Sequence, residues 1–81
     1  MLELFQFEQC PYCQKVREKM TELDLDYICR NVPKGSETRN LLIEIGGKEQ
    51  VPFLVDTTDP SDVIMMYESD DIIDYLEKNY S

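Results

Sequence analysis

The spacing of apolar and polar residues along the chain predicts seven short elements of secondary structure. Near the start, apolar residues alternate with polar ones, which is typical of a strand, whereas later segments repeat them every three or four positions, which is typical of a half-buried helix. The predicted strands are residues 2–7, 26–32, 51–55 and 63–67. The predicted helices run from Pro11 to near Asp24, from the N-cap Ser36 to Gly46 and Gly47, and onward from the N-cap Ser69.

The same spacing indicates which side chains the elements bury. The helices are expected to bury Val16, Met20 and Leu23; Leu41, Leu42 and Ile45; and Ile72, Ile73, Tyr75 and Leu76. Cys29 stands in the second strand between apolar neighbours, so we expect it to pack as a small hydrophobic residue. Residues 56–62 are polar and are expected to form a turn between the last two strands.

This order of elements, β-α-β-α-β-β-α, predicts a single α/β domain over residues 1–81. A right-handed crossover makes the first two strands parallel, and a hairpin adds the last two strands to the same sheet. The expected architecture is therefore a four-stranded mixed sheet flanked by three helices. This is the layout of a thioredoxin-like fold.

The charge balance and the missing residue types restrict the possible functions. Seventeen acidic and eight basic residues give a net charge of −9, which argues against binding to nucleic acid or to an anionic membrane. Most of the excess lies in residues 56–81, which contain eight acidic residues and one lysine. No apolar run spans a bilayer and no leader pattern precedes the first strand, so a cytoplasmic location is expected. The chain has no histidine, which excludes a Ser-His-Asp triad, a Cys-His dyad and histidine-ligated metals within it.

The motif Cys10-Pro11-Tyr12-Cys13 lies where the first strand passes into the first helix. Free N–H groups and the helix dipole favour an anion at this point, so Cys10, at the exposed helix end, is expected to be the nucleophilic thiolate. Thiolate is the attacking species in thiol–disulfide exchange. Two intervening residues let Cys13 approach Cys10 and act as the resolving thiol, while Tyr12 is expected to be exposed beside a substrate groove. The motif predicts a redox-active cysteine pair.

Other interpretations of the cysteine pair remain open at this point. A Cys-x-x-Cys motif can be half of a zinc site, but Cys29 is the only further cysteine, so a complete metal site within one chain is not expected. A metal or cluster shared between two chains is one alternative. A non-enzymatic module that binds glutathione or a partner protein is another.

Two other segments are expected to meet the cysteine motif at one edge of the sheet. Pro52 opens the third strand, where a cis bond would expose the backbone groups of Val51 to an extended ligand, although sequence alone favours trans. Ser69 and the N–H groups that follow it form an anion site at a helix N-terminus, although a routine N-cap is the simpler interpretation. The coincidence of the three segments favours a binding site there.

These residues carry a resemblance to known families. The Cys-Pro-Tyr-Cys motif after the first strand and Val51-Pro52 at the third resemble glutaredoxins, whose corresponding proline is cis. Glu68-Ser69 before the last helix is similar to the Glu-Ser motif of the glutathione transferase N-terminal domain. The combination, over essentially the whole chain, resembles bacterial glutaredoxin 2-type proteins.

The resemblance implies a role for each matching residue. Cys10 would attack a glutathione mixed disulfide, and Cys13 would resolve protein disulfides. Glutathione would lie beside Tyr12, with its cysteinyl backbone paired to Val51 next to a cis Pro52. The remaining glutathione contacts implied are Glu68 and Ser69 at the γ-glutamyl end and Gln50 or Lys48 at the glycine carboxylate.

The function expected from the sequence is therefore that of a small glutathione- or dithiol-dependent thiol–disulfide oxidoreductase. Glutathione serves as co-substrate and no tightly bound cofactor is expected. The expected partners are disulfide-containing proteins and a reductase or another thiol as electron donor, with a monomeric chain. Glu8-Gln9 replaces the lysine that many glutaredoxins carry before the first cysteine. The helical domain that supplies most of the transferase pocket has no counterpart in these 81 residues, so transferase activity is not expected.

Overall fold

Four strands and three helices follow one another in the predicted order, in a computed structural model that describes all 81 residues. The strands are β1 Leu2–Gln6, β2 Ile28–Asn31, β3 Phe53–Asp56 and β4 Ile64–Met66. The helices are α1 Pro11–Glu22, α2 Glu37–Gly46 and α3 Ser69–Tyr80. None of the helices has the length and hydropathy needed to cross a membrane.

The strands form one mixed sheet in the order β2-β1-β3-β4. β1 and β2 are parallel, as a crossover through α1 requires, whereas β3 runs antiparallel to both β1 and β4. Phe5 lies opposite Phe53, so the end of β1 is beside the beginning of β3. The predicted thioredoxin-like architecture is confirmed.

Each face of the sheet has its own hydrophobic core. One core joins the sheet to α1 and α3 and consists of Leu2, Leu4, Val16, Met20, Leu54, Ile72 and Leu76. The other lies under α2 and consists of Phe5, Val32, Leu42, Phe53 and Val55. Burial of these side chains supplies the main driving force for folding and fixes the helices on the sheet.

The ends of α2 follow the sequence signals. The Ser36 hydroxyl accepts a hydrogen bond from the backbone N–H of Arg39 at 3.0 Å, which caps the first turn. Gly47 follows the helix with φ of 85°, a left-handed conformation that glycine adopts without a steric cost. Gly46 is enclosed, because a Cβ atom there would collide with the Tyr67 hydroxyl oxygen.

Three expectations about burial are wrong. Cys29 is exposed, because β2 is an edge strand and all four of its residues are open to solvent. Leu41 and Ile45 are each 40% exposed, because α2 is alone on its face of the sheet and only Leu42 points straight at the core. Asp56 belongs to β3 and is buried, whereas the sequence places it in the polar turn.

Asp56 joins the end of β3 to the C-terminal half of α3. Its carboxylate accepts hydrogen bonds from the hydroxyls of Tyr75 and Tyr80, each at 2.6 Å. It also accepts from the backbone N–H and the hydroxyl of Thr58, at 2.9 and 2.6 Å. Burial alone would raise the pKa of Asp56, but these hydrogen bonds stabilise the charged form and lower the pKa to about 2.

We predict that Asp56→Asn lowers the free energy of unfolding at neutral pH by about 2 kcal/mol, because an amide cannot replace the charge-assisted hydrogen bonds. The pKa of Asp56 is lower in the folded chain than its ordinary value of about 4 in an unfolded one. Its contribution is therefore complete above pH of about 4 and is lost as the pH falls towards about 2. Urea unfolding at a series of pH values measures both effects.

Asp59→Asn is the matched control, because Asp59 is an exposed aspartate whose carboxylate bonds only to Ser61 in the same loop. This variant should unfold close to the wild type at every pH. Equal losses of stability in the two variants would contradict the assignment of Asp56 as the link between β3 and α3.

Candidate active site

Cys10 is the N-cap of α1, and its sulfur lies over the first turn of the helix. Its φ and ψ are −74° and 117°, and Pro11 occupies the first helical position. The Cys10 Sγ accepts a hydrogen bond from the backbone N–H of Cys13 at 3.2 Å. This inward position leaves Cys10 only 6% exposed, so the expectation of an exposed helix end is wrong for the cysteine itself. The bond and the helix dipole both favour a negative charge on the sulfur.

Cys13 is fully buried one turn further along α1. Burial raises the pKa of the Cys13 thiol, and the neighbouring Cys10 sulfur raises it further by hydrogen bonding. Cys13 therefore remains a neutral thiol at physiological pH. Both cysteines are unoxidised here, and no group of three or more His, Cys, Asp or Glu side chains is arranged to hold a metal ion.

The segment before β3 brings a backbone edge to the same end of the sheet. The Val51–Pro52 peptide bond is cis, as the resemblance to glutaredoxins implies, and Pro52 is buried. The backbone N–H and C=O of Val51 make no hydrogen bond within the protein. The preceding loop is anchored by the Tyr67 hydroxyl, which donates to the carbonyl of Lys48 at 2.9 Å and accepts from its N–H at 3.2 Å.

The start of α3 differs by one residue from the sequence prediction. Glu68, with φ of 69°, occupies the N-cap position, and Ser69 is the first residue of the helix. No side chain caps the helix, and the hydroxyl of the nearly buried Ser69 has no hydrogen-bond partner. The N-terminal N–H groups of α3 are therefore available to an anion.

A cavity of about 360 Å³ lies between these segments. It is lined by all six residues that the sequence predicts for ligand binding: Tyr12, Gln50, Val51, Pro52, Glu68 and Ser69. Tyr12 is 60% exposed at the rim, as expected. Cys10 and Cys13 do not form its wall but lie two residues before and one residue after Tyr12 in the chain.

Two lining residues are absent from the sequence prediction, Lys15 on α1 and Asp70 on α3. They form an ion pair of 2.9 Å between the two helices. Their positions in the sequence could have indicated them, because Lys15 follows Cys13 by two residues and Asp70 comes directly after Ser69. Gln50 donates to the carboxylate of Glu68 at 2.9 Å, while Lys48, the alternative to Gln50, lies over the Tyr67 ring outside the cavity.

The cavity combines a free backbone edge with a free helix N-terminus, and Tyr12 of the cysteine motif stands at its rim. A backbone edge pairs with an extended peptide, and a helix N-terminus binds a carboxylate. Polar residues make up most of the lining, and the hydrophobic lining residues are Tyr12 and Val51. The arrangement offers a backbone edge and free N–H groups to a small extended peptide that carries a carboxylate.

Comparison with known proteins identifies the family. Residues 4–81 match the family model described as "Glutathione S-transferase, N-terminal domain". None of the curated protein sequences matches the chain significantly.

Solved structures share the fold over nearly the whole chain. The trimeric glutathione transferase TDR1 of Leishmania is 27% identical with a TM-score of 0.82, covering 100% of this chain and 18% of its own. Glutathione transferase E6 of Drosophila melanogaster is 25% identical with a TM-score of 0.82, covering 100% of this chain and 36% of its own. Ure2p in complex with glutathione is 21% identical with a TM-score of 0.83, covering 98% of this chain and 33% of its own. The chain thus spans about a third or less of each of these proteins, and it belongs to the glutathione S-transferase N-terminal domain family.

Proposed function

We propose that this domain is a glutathione-dependent thiol–disulfide oxidoreductase of the glutaredoxin type. The observation that carries the proposal is the hydrogen bond from the Cys13 N–H to the Cys10 sulfur at the N-terminus of α1. This bond favours a thiolate at Cys10. A second thiol, Cys13, lies one turn along the helix, and a peptide-sized cavity adjoins Tyr12 between them. A transferase that only activates glutathione has no need of the second cysteine.

The first step is attack of the Cys10 thiolate on a disulfide. A new bond forms between the Cys10 sulfur and the glutathione sulfur of a mixed disulfide, and the bond to the other sulfur breaks. The leaving sulfur departs as a thiolate with the bonding electron pair and takes a proton from water. A second glutathione thiolate then attacks the glutathione sulfur on Cys10, which releases oxidised glutathione and restores the Cys10 thiolate.

Protein disulfides follow a route that also uses Cys13. Attack by Cys10 joins the domain to the substrate through one sulfur and releases the other as a thiolate. Cys13 loses its proton, attacks Cys10 and releases the second substrate sulfur, so a Cys10–Cys13 disulfide replaces the substrate disulfide. Two electrons from glutathione or from a reductase return the pair to dithiol. The raised pKa of Cys13 keeps it protonated until Cys10 has reacted.

Glutathione would bind across the cavity in an extended form. The free N–H and C=O of Val51 would pair with its cysteinyl residue, and Tyr12 would flank it. Ser69 and the N–H groups after it would receive the γ-glutamyl carboxylate. Glu68 would face the ammonium group of that end, and Gln50 would contact the ligand near Glu68.

The family relationship supports glutathione as the co-substrate, because the similar structures named above include glutathione transferases and a protein bound to glutathione. Disulfide-containing proteins would be the other substrates, and glutathione or a reductase the electron donor. We place this activity in a reducing compartment such as the cytoplasm, where a free cysteine pair stays reduced.

We predict that Cys10→Ser abolishes turnover of both a glutathione mixed disulfide and a protein disulfide, because the nucleophile is lost. Cys13→Ser should retain turnover of the mixed disulfide and lose that of the protein disulfide. Coupling to glutathione reductase, with NADPH absorbance as the readout, measures the first substrate, and insulin reduction measures the second.

Cys29→Ser is the control, because Cys29 is an exposed cysteine on the opposite edge strand from β4. It should retain both activities. Full activity in Cys10→Ser would overturn the proposal. Binding of glutathione without any Cys10-dependent turnover would instead indicate a non-enzymatic binding module.

We predict that Ser69→Ala raises the dissociation constant for glutathione roughly tenfold, because a hydrogen bond to a charged ligand group contributes about 1.5 kcal/mol. Ser61→Ala removes a hydroxyl that bonds Asp59 outside the cavity and should leave the constant unchanged. Calorimetric titration with S-methylglutathione, which cannot exchange disulfides, measures binding alone. Equal constants for Ser69→Ala and the wild type would exclude Ser69 from the ligand site.

A further inference from the structure

The cavity near the cysteine motif is lined by a single basic side chain. That side chain is already paired with an acidic one. Among the eight lining residues, Lys15 is the only basic one, and Glu68 and Asp70 are the acidic ones. The Lys15 Nζ lies 2.9 Å from the Asp70 Oδ1. Glu68 receives a hydrogen bond from the neutral amide of Gln50, which leaves its charge in place. The wall of the cavity is therefore net negative.

An anionic ligand meets this arrangement unfavourably. Glutathione carries two carboxylates and one ammonium group at neutral pH, so its net charge has the same sign as the wall. Lys15 is the one group there that attracts a carboxylate by its full charge, and Asp70 already neutralises it. The N–H groups at the start of α3 are then the only groups in the cavity that attract a carboxylate.

The ion pair is exposed enough to open. The side chains of Lys15 and Asp70 are 48% and 86% exposed, and ion pairs in such positions contribute little to stability. The pair joins α1 to α3, but those helices are held together by the buried core beneath them. Removing either charge should therefore change the electrostatics of the cavity without changing the fold.

We propose that the Lys15–Asp70 ion pair determines the charge preference of the cavity. While Lys15 is paired with Asp70, its charge is not available to anionic thiols such as glutathione. When the ion pair opens, Lys15 can bind a carboxylate of such a thiol. Asp70 thus acts as a specificity-determining residue that weakens glutathione binding and leaves the site more tolerant of neutral or cationic disulfide partners. This inference rests on the proposed function in naming glutathione as the ligand.

The test compares Asp70→Asn and Lys15→Gln, in the full chain, with Asp71→Asn as the matched control. Asp71 lies in the same first turn of α3 and carries the same charge, but it neither lines the cavity nor contacts Lys15. Calorimetry gives the dissociation constant for S-methylglutathione. Turnover assays give KM and kcat for one peptide disulfide-bonded either to glutathione or to neutral mercaptoethanol.

We expect Asp70→Asn to tighten S-methylglutathione binding and to lower KM for the glutathione mixed disulfide, each by about threefold, with kcat little changed. Lys15→Gln should weaken S-methylglutathione binding and raise KM for the glutathione mixed disulfide by a similar factor. The value of kcat/KM for the mercaptoethanol substrate, which does not include the later glutathione step, should change in neither variant. In a Lys15→Gln background, Asp70→Asn should lose most of its effect. Asp71→Asn should change each constant by much less.

Equal effects of Asp70→Asn and Asp71→Asn would overturn the proposal, because overall charge rather than the ion pair would then be responsible. Unchanged binding in both Asp70→Asn and Lys15→Gln would also overturn it. The proposed function fails separately, by an absence of Cys10-dependent turnover in the wild type. The S-methylglutathione measurement still decides the role of the ion pair in that case.

Discussion

Antiparallel pairing of β1 with β3 is the constraint on which the candidate site depends. Because Phe5 lies opposite Phe53, the chain leaves β1 towards Cys10 at the point where it enters β3 from Pro52. α3 packs beside α1 on the same face of the sheet, which adds Ser69 to that end. Three segments that are distant in sequence thereby line one cavity.

Backbone groups, rather than charged side chains, supply the anion-binding capacity of this site. The chain has no histidine, its net charge is −9, and the one cation in the cavity is paired with Asp70. An N–H of α1 bonds the Cys10 sulfur, and the first turn of α3 presents uncapped N–H groups. Fixed dipoles of this kind require no reorganisation when charge develops, which suits a thiolate that forms and disappears during exchange.

The fold and the lining of the cavity follow closely from the sequence, because both depend on strong local signals. Apolar spacing defines the elements, and Pro11, Ser36 and Gly47 mark helix ends in the way their backbone preferences require. Once the order of elements is known, the topology brings the Cys10 and Pro52 segments to one end of the sheet. Six of the eight residues that line the cavity are thus predicted from the sequence, and Lys15 and Asp70 are not.

What the sequence did not predict depends on contacts between elements. Cys29 has apolar neighbours in sequence but lies on an edge strand, where its sulfur accepts a hydrogen bond from Gln6 instead of entering the core. Asp56 begins a polar segment whose composition is typical of a turn. Two tyrosine hydroxyls of α3 nevertheless donate hydrogen bonds to its carboxylate, and these bonds allow its burial. The ion pair of Lys15 joins two helices, and no local pattern specifies such a partner.

The most direct test of the central claim is to compare two cysteines within one molecule. The Cys13→Ser variant is treated with oxidised glutathione for increasing times, quenched with acid, and analysed by peptide mass spectrometry. If Cys10 is activated at the N-terminus of α1, the mixed disulfide should form on the mostly buried Cys10 well before it forms on the exposed Cys29. Modification of Cys29 at an equal or faster rate would contradict the assignment of Cys10 as the reactive thiol.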